Sequence, residues 1–139
     1  MTSANFPVCT SIGSNAFYYC IALTTISFPA CTFIGEYAFY SCRSLISADF
    51  PACTSIESNA FKYCSALTSA YFLNSTYITL NNSNAFNNTP MLNSTYTGTF
   101  GSIYVRASML SSYKTYANWS YYSSRFVGLT DEQIATLNL

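Results

Sequence analysis

Six cysteines, Cys9, Cys20, Cys31, Cys42, Cys53 and Cys64, recur at a constant interval of 11 residues. Thiols can pair as disulfides, ligate a soft metal or attack as thiolates. The count alone, in a chain of 139 residues, suggests three disulfides. Zinc finds no support, because the chain has no histidine and no CxxC pair. General acid-base or nucleophilic work would have to rest on a cysteine or on Glu36, Asp49, Glu57, Asp131 and Glu132. The few glycines form no phosphate-cradling loop. We therefore expect no catalytic residues, no metal site and no cofactor, and a protein that is not an enzyme.

The interval of 11 is half of a longer period. Phe6, Phe28, Phe50 and Phe72 stand 22 residues apart, and NAFYYC (15–20) returns as YAFYSC (37–42) and NAFKYC (59–64). Further columns follow: Ile12, Ile34 and Ile56; Ala16, Ala38 and Ala60; Phe17, Phe39 and Phe61; Leu23, Leu45 and Leu67. A degenerate fourth copy carries Leu80, Ala85, Phe86 and Leu92, displaced by three inserted residues at its end. TSANF (2–6) aligns with TTISF (24–28), which puts Met1 in the leucine column and the start of the chain at a repeat boundary. In the fourth copy the cysteine columns hold Ser75 and Thr89. A hydroxyl replaces a small thiol in packing and local hydrogen bonding but forms no disulfide, so the cysteines read as buried free thiols. Glu36 and Glu57, one column apart in neighbouring copies, could approach each other as a glycosidase pair does, at about 5–9.5 Å. The first copy has Ser14 and Gly13 at those places, so both glutamates read as solvated surface charges.

A unit this short cannot close a core alone, and stacking its neighbours turns every apolar column into a continuous ladder. LTTISF (23–28) suits a short parallel strand with Leu23, Ile26 and Phe28 inward, ended by Pro29 as its copies are by Pro7 and Pro51. Opposite it, Ile12, Ala16 and Phe17 enter the core, and Phe17, Phe39, Phe61 and Phe86 should form an offset aromatic stack at a coil spacing of about 4.8 Å. Side chains alternate across a strand, so Thr25, Ser27, Ser47, Asp49, Ser69 and Tyr71 form an outward ladder and are the candidate binding residues. Tyr18, Tyr19, Tyr40, Tyr63, Tyr71, Tyr121 and Trp119 could add rings for sugar or protein contact.

After the repeats, FGSIYV (100–105) reads as a last strand and Ser108 as the N-cap of a helix in which Met109, Leu110, Tyr113, Tyr116 and Ala117 share one face. Such a helix covers the open end of the stack; Trp119, Tyr122 and Phe126 continue it, and Thr130 with Gln133 forms a capping box for a final helix carrying Ile134 and Leu137. Five basic and five acidic side chains leave zero formal charge, which argues against nucleic acid and anionic membranes as partners. No apolar run approaches the roughly 20 residues of a membrane span. MTSANFPVC lacks the features of a signal peptide, while the uncharged Ser, Thr, Asn and Tyr polarity suits a surface-displayed module.

The phrase IGxxAFxxCxxLxxIxFP, here IGEYAFYSCRSLISADFP (34–51), resembles the BspA-like leucine-rich repeats of bacterial surface antigens, and the resemblance covers residues 1–92. The tail at 103–126 is similar to the segment that closes such arrays, where the family has proline in place of Arg106, a loss that should loosen the approach to the helix. The resemblance implies a right-handed, mostly β leucine-rich-repeat solenoid with short parallel strands. It also implies free cysteines at the AFxxC position, a setting at the cell surface and adhesion to host, matrix or neighbouring cells; it carries over no catalytic residues. We expect about four 22-residue coils plus a C-terminal helical cap, with 1–99 as the solenoid and 100–139 as the last strand and cap of the same domain. The expected function is a noncatalytic protein- or glycan-binding module of a bacterial surface protein. The alternative is a structural spacer or assembly component of a longer surface or phage protein, whose uncapped N-terminal coil would self-associate.

Overall fold

The computed structural model describes residues 3–92 and 100–137; Met1, placed above in the leucine column, lies outside them. Each coil contributes two short strands: β1 (Ser3–Asn5) and β2 (Ser11–Ile12), β3 (Thr25–Ser27) and β4 (Phe33–Ile34), β5 (Ser47–Asp49) and β6 (Ser55–Ile56), β7 (Ser69–Tyr71) and β8 (Thr79–Leu80). Then come β9 (Ser102–Arg106), α1 (Leu110–Thr115), β10 (Phe126–Leu129) and α2 (Asp131–Ala135). All strands are parallel, in one sheet ordered β1-β3-β5-β7-β9-β10 and another ordered β2-β4-β6-β8. Across the first sheet Ser3, Thr25, Ser47, Ser69 and Ser102 stand in register, as do Ala4, Ile26, Ala48, Ala70 and Ile103. The sequence period and the coil are thus one object.

Proline makes the corner after β1, β3 and β5. It supplies no N–H to the ladder and presets φ for a turn, and the turn is closed by Cys31 N–H donating to Phe28 O at 3.2 Å, by Cys9 to Phe6 at 3.3 Å and by Cys53 to Phe50 at 3.4 Å. On the far side the AF segments are not strands, yet their amides still run from coil to coil: Phe17 N–H to Ala38 O at 2.7 Å, Phe39 to Ala60 at 2.8 Å, Phe61 to Ala85 at 2.8 Å. Two left-handed residues in each of the first three coils, and one in the fourth, make this possible by turning the peptide planes, at Asn15, Tyr37 and Asn59 and again at Tyr19, Ser41, Tyr63 and Asn88, all with φ between 57° and 64°. At Gly35 the first two coils pack closely, since a Cβ there would lie 2.7 Å from backbone atoms of Gly13 and Ser14, whereas the third coil holds Glu57 in the same column.

The core is two phenylalanine ladders. Phe17, Phe39, Phe61 and Phe86 stack at 5.1–5.2 Å between centroids within 9° of parallel, the offset stack expected from the sequence. Phe6, Phe28, Phe50 and Phe72 form a second stack, and the two ladders meet edge to face, as Phe28 meets Phe39 at 6.0 Å and 69°. The cysteines are free, and Cys31, Cys42, Cys53 and Cys64 are buried. One column bonds within its own coil, Cys31 Sγ donating to Phe33 O at 3.2 Å; the other reaches back to the previous coil, Cys42 to Phe17 O at 3.1 Å and Cys64 to Phe39 O at 3.0 Å. Thr89 stands in this second column, but its hydroxyl donates within its own coil, to Phe86 O at 2.6 Å.

The tail differs from expectation in several ways. FGSIYV is not the last strand, because β10 adds outside β9 with Phe126 opposite Ile103. Ser108 caps no helix: it sits inside a 3-10 turn, Ala107–Met109, and α1 begins at Leu110 without a side-chain cap. That helix ends at Thr115, before Tyr116 and Ala117 can join its buried face, and both are exposed. The cap instead imitates a further coil with side chains. Tyr122 Oη accepts from Phe86 N–H at 3.0 Å, Tyr113 Oη from Ile78 N–H at 3.0 Å, and Trp119 Nε1 donates to Ile78 O at 2.7 Å. Buried backbone groups left open by the last repeat are thereby satisfied. Arg106 holds the φ of a proline, −63°, so the backbone path is kept, and its guanidinium pairs with Asp131 at 2.8 Å. The Thr130–Gln133 capping box is present and Ile134 lies in α2, but the helix ends at Ala135, so Leu137 falls beyond it.

Candidate functional site

Alternation along the first sheet sends Ala4, Ile26, Ala48, Ala70 and Ile103 into the core and leaves the flanking residues of each strand on the outer face. The six candidate residues lie together there: Thr25, Ser47 and Ser69 in one row, and Ser27, Asp49 and Tyr71 in the next. Their exposure is unequal. Thr25 is open to solvent, Ser27, Ser47, Ser69 and Tyr71 are half-buried, and Asp49 is only 8% exposed.

Asp49 is the electrostatic centre of this face. Ser27 Oγ donates to Asp49 Oδ2 at 3.5 Å, a long bond, and Asp49 Oδ1 has no partner among the described residues. Burial raises the energy of the ionised form and pushes the carboxyl up from 3.8 to about 6, with the Ser27 hydroxyl opposing. Beside it, Tyr71 stacks on Tyr104 at 4.6 Å and 11°. Two hollows share Asn5, Ser27 and Asp49. One, of about 350 Å³, lies over β1, β3 and β5. The other, of about 460 Å³, runs over Pro7, Pro29 and Pro51 to Arg106 and to Ile134 and Leu137 around α2.

Tyr104, Arg106 and Asn5 belong to this face, and the sequence reading passed over them. Ser69 and Ser102 are in register but 33 residues apart, so the 22-residue columns no longer align at β9. The alternation of Tyr104 with the buried Ile103 and Val105 is the signal that could have found it.

A second concave surface lies on the AF side, an open cleft of about 780 Å³ lined by Ser14, Asn15, Tyr18, Glu36, Tyr37 and Tyr40. Tyr18 stacks on Tyr40 at 5.0 Å and 7°, and Tyr37 meets Tyr40 edge-on at 5.3 Å. Tyr37 was missed because its column otherwise holds asparagine. Tyr63 continues the row, with Lys62 and Arg43 over its ring at 5.4 and 5.8 Å. Trp119 is buried in the cap, whereas Tyr19 and Tyr121 are exposed. Glu36 is exposed, and Glu57 accepts from Asn81 of the next coil.

Stacked coils of like residues, two parallel sheets and a laterally open strand face define a leucine-rich-repeat solenoid. Residues 1–114 match the BspA type leucine rich repeat region in six copies, and the chain belongs to that family. No curated protein matches the chain. Repeats of this family are in general non-enzymatic interaction scaffolds and are typical of bacterial surface proteins. Among the described residues no helix is long and apolar enough to cross a membrane.

Proposed function

We propose that the chain is a noncatalytic binding module of a bacterial cell-surface protein, taking a protein or glycan ligand on the outer face of the β1-β3-β5-β7-β9 sheet. Thr25, Ser27, Ser47, Asp49, Ser69 and Tyr71 make the contacts, with 1–99 as the solenoid and 100–139 as the cap of the same domain. One observation carries this reading: polar side chains stand in register across five strands, and those of β1, β3 and β5 line two hollows that share a buried carboxylate with an open oxygen. Solenoids present such faces as extended binding surfaces. A screen of glycan arrays and extracellular-matrix proteins tests it, with Asp49→Asn and Tyr71→Ala as controls. Ligands retained by both variants would sink the assignment to this face.

A spacer or assembly role is the second reading, and a different surface favours it. Ala4, Phe6, Phe17, Cys20, Ile21, Ala22 and Leu23 line an apolar hollow of about 440 Å³ at the first coil, where Phe6 is 39% exposed and β1 and β2 are edge strands. An apolar cross-section beside unpaired edges suits another coil or a second copy. Sedimentation velocity at rising concentration checks it: self-association weakened by Phe6→Glu supports the role, and a monomer throughout removes it.

A further inference from the structure

We propose that the ligand of the ladder face is a protein segment that inserts a basic side chain, arginine in preference to lysine, onto Asp49. The inference rests on the binding reading above and narrows it from protein or glycan to a cationic protein segment. Asp49 is nine-tenths buried, it lines both hollows, and its Oδ1 is unsatisfied among the described residues. An ionised carboxylate in this position is costly until a partner arrives, and a charged donor recovers more of that cost than a neutral hydroxyl does.

The surroundings supply no such donor. Ser27 reaches Asp49 from β3 and Tyr71 flanks it from β7, both neutral at pH 7, while Ser47 precedes it on its own side of β5. Arg106, at the far end of the larger hollow, is engaged through Nη1 with Asp131, and its Nε, unsatisfied among the described residues, bonds neither oxygen of Asp49. A hard metal ion would need six or more oxygen ligands, and among the described residues no three acidic, histidine or cysteine groups gather for a metal. Arginine is preferred for two reasons. Its planar fork matches a carboxylate edge, and the stacked pair Tyr71–Tyr104 lies one strand over, where a guanidinium held on Asp49 can lie against aromatic carbon. The prolines at 7, 29 and 51 give the apolar floor for the rest of the segment.

Panning a random 12-residue peptide display library against the intact chain at pH 7.5 tests the proposal. Ladder-face peptides are those whose binding is lost in Tyr71→Ala and in Ser47→Trp, which fills the hollow. They should carry an arginine or lysine whose change to glutamine, like Asp49→Asn, weakens binding at least tenfold. Their affinity for the wild type should also fall about tenfold between pH 7.5 and pH 5, as the carboxylate with its pKa of about 6 takes up a proton. Asp49→Asn should show no such fall. Ladder-face peptides without a basic residue, or indifferent to Asp49→Asn, overturn the proposal and leave the binding face standing. If no selected peptide depends on Tyr71 and Ser47, the proposal falls, and the glycan and matrix-protein screen decides the binding face by itself.

Discussion

At the scale of single residues, two positions hold groups that folding alone would not choose. Asp49 takes up its proton more readily folded, near pH 6, than its ordinary value of 3.8. Between those two values the folded chain binds a proton that the unfolded chain has released, so the contribution of Asp49 to stability falls as pH rises through this window. The full shift would correspond to roughly 3 kcal/mol, which water in the open hollow screens to about 1–2 kcal/mol. Asp49→Asn should therefore be about 1–2 kcal/mol more stable than wild type at pH 7 and equal to it near pH 4, as checked by urea unfolding at both. Ser41 is the other case: fully buried, left-handed at φ 57°, with a hydroxyl that meets no partner among the described residues. Ser41→Gly removes both penalties at the expense of a more flexible unfolded chain, and a net gain of about 1 kcal/mol is expected in the same assay. The sequence placed Asp49 on the outer face by alternation alone. Its burial was not legible, because it depends on how Ser27 and Tyr71 of the neighbouring coils crowd it.

At the scale of elements, a column is the unit of stability. Phe39 lies between Phe17 and Phe61 in its own ladder and meets Phe28 and Phe50 of the other edge-on. Phe39→Ala leaves a hole that rigid neighbouring coils cannot fill, and a loss of about 3–5 kcal/mol is expected by chemical denaturation. A loss under 1 kcal/mol would mean the coils collapse around the gap. The ladders were legible because phenylalanine repeats at fixed spacing. The second sheet was not, since strands of two residues such as Ser11–Ile12 are too short for an alternation pattern. β10 escaped for another reason: FVGL breaks alternation with glycine, and its partner β9 lies on the far side of α1. Ser108 looked like a cap, but β9 stays extended through Arg106, which takes the N-cap position of a 3-10 turn that already contains Ser108.

At the scale of the whole molecule, each coil contacts only its neighbours, so opening is expected to propagate along the stack from its less protected end. The last coil is closed by Trp119, Tyr113 and Tyr122, whereas the first presents Phe6 and two edge strands. The thiols follow the same gradient: Cys9 and Cys20 are half-buried, the other four are buried, and burial pushes Cys53 up to about 12 and Cys64 well above its ordinary value. With a maleimide under native conditions, Cys9 and Cys20 should react first and Cys64 last, as peptide mapping of timed samples would report. Uniform labelling would mean the chain opens all at once. Because one reactive atom is spaced every 11 residues through the first three coils, the protein carries its own ruler. The order in which those marks become visible to a chemical reagent times how far the structure has unzipped.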